Sequence, residues 1–205
     1  MTSTNPGHEP VLLEQVRSLL APTPGDVILD CTLGRGGHAT ALGAAAENTT
    51  VVGLDLDDDN RAYADARLTE AGIPHHTTHG NFVRAPEALH EAGLAADVVL
   101  ADLGFASNQV DDPDRGLSFL RDGPLDMRLD PTGPITAASL IATLPETELA
   151  NIIRQHGEEP YAARIAQKVA QERTQRPILT TGQLADLVRE AYGVRARTSR
   201  QHPAT

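Results

Sequence analysis

Three acidic residues, Asp30, Asp55 and Asp102, each close a short run of apolar residues, and the first run leads straight into Thr32-Leu33-Gly34-Arg35-Gly36-Gly37-His38. A glycine-rich turn between a strand and a helix presents backbone N–H groups to a ligand. Read as a bare pattern, Gly34-x-Gly36-x-x-Ala39, with Asp55 about 20 residues further on, also fits a dinucleotide site. The glycines alone leave two ligand classes open. Charge favours one of them. A pyrophosphate on the helix start would be repelled by Asp30 and Asp102, whereas S-adenosylmethionine has no phosphate and brings a sulfonium and an ammonium to face the acids. Asp102-Leu103-Gly104 then suits a site that receives an amino group. A carboxylate or backbone carbonyl accepts its N–H, the nitrogen lone pair points at a methyl group, and positioning supplies most of the catalysis without a metal.

These residues need a frame that brings strand ends together. Val27–Cys31, Val51–Asp55, His75–His79 and Val98–Asp102 read as strands, two of them almost wholly apolar as buried parallel strands are. Ala-rich stretches at Gly37–Ala46, Asp57–Ala71 and Ala85–Ala92 are long enough for crossover helices, and Pro10–Leu20 precedes them. Strands alternating with helices predict a parallel α/β sheet whose ligands lie at the carboxyl ends of the strands. From Gly104 to Pro134 the chain turns rich in Asp, Gly and Pro, a loop long enough to be functional or to mark a boundary. Helices are expected after it at Thr136–Ala142, Pro145–His156, Glu159–Arg173 and Thr181–Tyr192, with Thr143 and Thr180 or Thr181 as N-caps.

Other residues that could do chemistry have plainer readings. His75 and His79 share one face of a strand and His76 the other, which makes a single zinc site awkward. Asp57-Asp58-Asp59 reads as the acidic first turn of a helix, Cys31 as a small packing residue, and Tyr161 as a core residue. Arg115, Arg121 and Arg128 read as loop anchors for Asp112, Asp122, Asp126 and Asp130 at least as well as they read as RNA contacts.

With 40% apolar and 22% charged residues, the 205-residue chain has the composition of a folded domain. No run approaches the roughly 18 apolar residues of a membrane span, and Met1–Gly7 resembles no signal peptide, so a cytoplasmic protein is expected. Cys31 is the sole cysteine, which excludes intrachain disulfides and thiolate zinc clusters. The net charge of -11 is unevenly spread. Through Val110 there are 15 acids and 5 arginines; from Asp111 there are 13 acids and 12 bases. Within the latter part, Arg164, Lys168, Arg173, Arg176, Arg189, Arg195, Arg197 and Arg200 face only Glu172, Asp186 and Glu190 from Tyr161 onward, which suggests a phosphate-facing surface.

His8-Glu9-Pro10-Val11-Leu12-Leu13-Glu14, Gly34-Arg35-Gly36-Gly37-His38, His79-Gly80-Asn81-Phe82, Asp102-Leu103-Gly104 with Gln109 and Asp111-Asp112, Arg115-Gly116-Leu117-Ser118-Phe119, Asp122-Gly123-Pro124-Leu125-Asp126-Met127-Arg128-Leu129-Asp130 and His202-Pro203-Ala204-Thr205 resemble the ribosomal RNA small subunit methyltransferase H family, collinearly from His8 to Thr205. Ala106, Asn108 and Leu117 depart from its pattern, which has Ser, Pro and Phe there. The resemblance implies a Rossmann-like class I methyltransferase sheet with an inserted α-helical lobe, and S-adenosylmethionine-dependent methylation of the exocyclic N4 of a cytidine in the decoding region of 16S rRNA. By position it implies donor contacts from Gly36, Gly37, His38, Asp55, Phe82, Asp102 and Gln109, with Asp102 as the catalytic candidate and no metal. The small ribosomal subunit is the implied partner. Alternatives are a catalytically silent RNA-binding module and a NAD-dependent oxidoreductase.

Residues 1–110 are expected to form the first part of the donor-binding domain and 111–205 a connecting loop and helical lobe. A sheet of this class has seven strands, so four imply an incomplete sheet in a truncated chain, with Val98–Ala101 as an exposed edge. A target amino group on a paired base must also be unstacked, which makes Phe82, Phe105 and Phe119 the candidate stacking surfaces.

Overall fold

The computed structural model describes residues 10–193 and 202–204. The chain divides into two compact units, Met1–Gly104 and Phe105–Thr205, a division slightly ahead of the expected one at 110/111. Arg195, Arg197 and Arg200 lie outside the described residues, as do His8 and Glu9.

The first unit runs α1 (Leu13–Leu20), β1 (Val27–Asp30), α2 (Gly37–Gly43), β2 (Thr50–Asp55), α3 (Asp58–Glu70), β3 (His75–His79), a 3₁₀ turn (Phe82–Arg84), α4 (Ala85–Ala92) and β4 (Val98–Leu100). Its four strands are parallel in the order β3-β2-β1-β4, a Rossmann-like α/β sheet. Alternation along the strands sends Ile28, Val51 and Val98 to one face, against Leu42, Ala64 and Leu68 of α2 and α3. Val27, Leu29, Val52 and Leu54 face the other side, against Ala85 and Ala88 of α4. The chain thus moves outward from β1 to β3 with helices on one face and returns to β4 by a helix on the other. That reversal puts a switch point between β1 and β4, where an open α/β sheet binds its ligand.

β4 ends at Leu100, two residues before the expected Asp102. Among the described residues it pairs with β1, and past the bond from Cys31 N to Leu100 O the ladder stops. Val99 is 55% exposed.

The second unit contains α5 (Ser107–Asp111), a 3₁₀ turn (Pro113–Arg115), α6 (Ala137–Thr143), α7 (Glu146–Gly157), α8 (Ala162–Glu172) and α9 (Thr181–Tyr192). Leu149, Ile165, Val169, Leu187 and Val188 fall on the facing stripes of α7, α8 and α9 and close their core, with Ile141 from α6. Thr180 caps α9 through Gln183 N, as the sequence implied. Thr143 does not begin a helix. It is the last residue of α6, its hydroxyl donates back to Ser139 O, and α7 starts after Pro145. The capping threonine of α6 is Thr136, whose Oγ1 accepts from Ser139 N.

The segment Asp122–Arg128 ties this unit together. Asp122 accepts the N–H of Gly182 at 2.8 Å at the start of α9, and Leu125 exchanges bonds with Leu179 and Ala138. A Cβ on Gly123 would lie 2.0 Å from Pro113 O, so only glycine allows the approach.

Candidate active site at the carboxyl edge of the sheet

β1 and β2 deliver their terminal acids to the edge from which the glycine turn departs. Asp55 holds that turn in place: its Oδ2 accepts from Gly34 N at 2.6 Å and its Oδ1 from Asp57 N at 2.9 Å. Each oxygen retains a second lone pair, so the carboxylate can still face a hydroxyl. Burial raises the Asp55 carboxyl above its usual range, against these two backbone bonds.

Asp30 is 1% exposed and accepts the N–H of Thr32 at 3.0 Å. Burial pushes its carboxyl up to about 6, opposed by hydrogen bonds from Thr32 and reinforced by the negative charges of Asp55 and Asp102. The sequence places Asp30 at the strand end but leaves it and Thr32 off the donor-contact set; neither full burial nor a bond to a residue 70 positions away is visible in one strand's composition. Asp102 lies past β4 with an exposed side chain, its backbone N–H donating to Thr32 Oγ1 at 2.7 Å and its Oδ2 3.6 Å from His38 Nε2. The structure therefore brings Asp30, Asp55, His38 and Asp102 to one edge around the glycine turn.

The turn itself is shaped by close packing as well as by any ligand. Gly34 and Gly36 have φ of 51° and 72°, in the left-handed region that glycine tolerates. A Cβ on Gly37 would sit 2.5 Å from the ring of Pro10. Gly36 is the N-cap of α2 and supplies no side chain to its first turn. Three buried polar atoms without a hydrogen-bond partner fall in this stretch among the described residues: Arg35 Nε, His38 Nδ1 and Thr40 Oγ1. Such atoms are uncommon in folded proteins, and these three fall between Arg35 and Thr40, in the glycine turn and the helix that follows it.

Phe82 opens the 3₁₀ turn after β3 and is 45% exposed, at the same carboxyl end of the sheet. Gln109 belongs to the second unit, where it is buried and its Oε1 accepts the N–H of Ala106 at the start of α5. Two of the β3 histidines are engaged locally: His75 with Asp65 Oδ1 and Ile73 O, His79 with Leu56 O. No cluster of His, Cys, Asp or Glu among the described residues could hold a metal ion. Asp57 caps α3, with Asp58 and Asp59 in its first turn. Burial raises the Cys31 thiol, which keeps it protonated against the apolar face of the sheet.

In the second unit, Arg128 forms a two-point fork with Asp126, Arg115 holds the carbonyls of Arg128 and Leu129, and Arg121 holds that of Asp111. These arginines anchor the loop. Tyr161 packs on Tyr192 with ring centroids 4.6 Å apart. Of the basic residues after Tyr161, Lys168 pairs with Glu190, Arg176 with Glu172 and Arg189 with Asp186, while Arg173 ties α8 to α6 through the carbonyls of Ile141 and Leu144. Met127, at a φ of 61°, and Phe119 line an apolar cavity of about 330 Å³ within this unit.

The family model of the MraW methylase family matches residues 5–205. The chain belongs to the MraW methylase family. This MraW-family chain is 43% identical over 199 residues to the ribosomal RNA small subunit methyltransferase H of Symbiobacterium thermophilum, covering 96% of the chain and 63% of that protein. It is 44% identical over 206 residues to the protein of that name from Thermobifida fusca, covering 98% of the chain and 62% of the relative. The chain thus spans about three-fifths of the length of these curated relatives.

Proposed function

We propose that the chain carries the donor-binding edge of an S-adenosylmethionine-dependent rRNA methyltransferase acting on the exocyclic N4 of a cytidine in the decoding region of 16S rRNA. The observation that carries the reading is the convergence of the Asp30, Asp55 and Asp102 carboxylates on a glycine turn that itself holds buried, unpartnered polar atoms. A cationic, phosphate-free donor suits that charge, and membership of a methylase family supports it over a dinucleotide.

In this reading the backbone of Gly36, Gly37 and His38 faces the donor, Asp55 takes its ribose hydroxyls, and Phe82 lies beside its adenosine. When bound, the donor supplies an electrophilic methyl carbon on sulfur. Asp102, or a backbone carbonyl beside it, accepts an N–H of the target amine and turns the nitrogen lone pair toward that carbon. The amine nitrogen would take that methyl group, the donor leaving as the neutral thioether, and the proton shed by the amine would pass to Asp102 or to solvent. The basic helices of the second unit would take the rRNA of the small subunit as partner.

The test is transfer of labelled methyl to small ribosomal subunits that lack the modification, alongside calorimetry with S-adenosylhomocysteine and NAD. Expected results are homocysteine-form binding, no NAD binding, and incorporation at a single cytidine that falls with Asp102→Ala. Binding of NAD alone would overturn the donor assignment. RNA binding without incorporation at saturating donor would reduce the chain to a silent module.

A further inference from the structure

Asp102 lies past the end of β4. The last ladder contact of β4 with β1 is Cys31 N to Leu100 O at 2.9 Å, and residues 101–103 have no regular secondary structure. Two contacts reach Asp102, from the turn after β1 and from α2. Its backbone N–H donates to Thr32 Oγ1 at 2.7 Å, and its carboxylate stands 3.6 Å from the His38 ring.

Thr32 is in turn tied to Asp30. Its hydroxyl oxygen accepts from Asp102, which leaves its single proton for another acceptor, and the hydroxyl stands 3.5 Å from Asp30 Oδ1. The same oxygen accepts the Thr32 backbone N–H at 3.0 Å, which fixes the residue carrying the hydroxyl. Thr32 is β-branched, so its side chain has few rotamers and transmits that orientation with little slack. A turn at this place needs only a small polar residue. A fully buried carboxylate is a costly choice for it, and such choices concentrate at functional sites.

We propose that Asp30 is a positioning residue that acts through the Thr32 hydroxyl to set Asp102 at the edge of the sheet, an inference that rests on the methyl-transfer reading above. Asp30 touches neither donor nor acceptor in this scheme. Its effect falls on the rate of transfer rather than on donor affinity, because near-attack geometry is lost when a reacting group shifts by about 1 Å, at a cost of around 100-fold.

Three variants of the chain test it: Asp30→Ala, Thr32→Val and Thr32→Ser, each first confirmed as folded by its melting curve. Asparagine would keep the Oδ1 acceptor, so alanine is the variant that removes the link. Thr32→Val keeps the shape and removes the hydroxyl; it should lower kcat about tenfold or more while the dissociation constant for S-adenosylhomocysteine moves less than about threefold. Thr32→Ser, which retains the hydroxyl, should restore most of that loss. Asp30→Ala should lower kcat, and adding it to Thr32→Val should cost little more, because both act through one link. A kcat within twofold of the parent in Thr32→Val, or losses that multiply in the double variant, would overturn the proposal. Hydrogen exchange at the Asp102 amide gives a readout independent of activity: protection should fall in Thr32→Val and in Asp30→Ala and persist in Thr32→Ser. If the parent chain transfers no methyl group, the functional reading has failed, and unchanged Asp102 protection in Asp30→Ala would separately sink the positioning role.

Discussion

Asp55 holds Gly34 across the sheet edge, its Oδ2 accepting the glycine N–H at 2.6 Å, so the residue expected to face a ribose also fastens the turn beneath it. Asp55→Ala should therefore do two things at once. It leaves the N–H groups of Gly34 and Asp57 without their acceptor, which costs about 1–3 kcal/mol for a group left unsatisfied. Denaturant unfolding should report that loss, and calorimetry with S-adenosylhomocysteine should show weakened binding. Asp55→Asn keeps one acceptor oxygen and should lie between the two. Unchanged stability in Asp55→Ala would mean that the turn stands without it.

Asp30 makes a prediction about pH. Its carboxyl is pushed up to about 6 in the folded chain by burial, from an ordinary value of 3.8. A carboxyl raised on folding binds protons more tightly in the native state, so its contribution is fully present below about pH 4 and is lost as pH climbs through about 6. The shift corresponds to about 3 kcal/mol. Asp30→Asn should thus be more stable than the parent at pH 8, by up to about that amount, and the advantage should vanish near pH 4. The difference between the two unfolding curves isolates this group from Asp122 and Asp126, whose carboxyls are held low by hydrogen bonds and act in the opposite direction at acid pH. Higher stability in Asp30→Asn together with slower transfer in Asp30→Ala would mark the acid as retained for function.

The fork between Asp126 and Arg128 predicts a different kind of loss. Nε and one terminal nitrogen meet the two carboxylate oxygens at 2.8 and 2.6 Å, and the other terminal nitrogen holds Gly133 O. Lysine cannot reproduce a planar fork. Both side chains are partly exposed, so Arg128→Lys and Arg128→Ala should each lower stability only modestly, read as a small fall in the urea midpoint. Gly123→Ala should be far worse, since the added carbon meets a backbone oxygen at 2.0 Å. Little soluble protein, or a loss above about 3 kcal/mol, is expected there.

Much of the first unit was legible because its strands are buried on both faces, and Val-Ile-Leu runs ending in Asp are read easily as parallel strands. The end of β4 was not, because Ala101 and Asp102 look like more strand while the ladder with β1 ends at Leu100. α5 was hidden in the Gly104–Pro134 loop: five residues, Ser107–Asp111, are too short for any period to show. Thr143 misled because a threonine three residues before a glutamate resembles a capping box, and Pro145 then starts the helix two residues later. At the site, the acids at strand ends were visible, but the link from Asp30 through Thr32 to Asp102 depends on burial and on a register between β1 and β4 that no local pattern encodes.

The basic stretch after Tyr161 predicts how RNA binding should respond to salt. Lys168, Arg176 and Arg189 each sit against an acid, and Arg173 is spent on two helix carbonyls, so fewer cations face solvent alone than the sequence suggests. Exposed ion pairs contribute little and open readily, which leaves the paired cations able to exchange an acid for a phosphate at small cost. Each such contact to single-stranded RNA should add about -0.7 to the slope of log affinity against log salt. Lys168→Ala should reduce the slope by at least that, since Glu190 then stands unpaired and its repulsion of the strand is itself relieved by salt. Glu190→Gln should strengthen RNA binding at low salt for the same reason, with S-adenosylhomocysteine affinity unchanged. An RNA affinity that ignores both salt and Glu190→Gln would place the nucleic-acid surface away from α8 and α9.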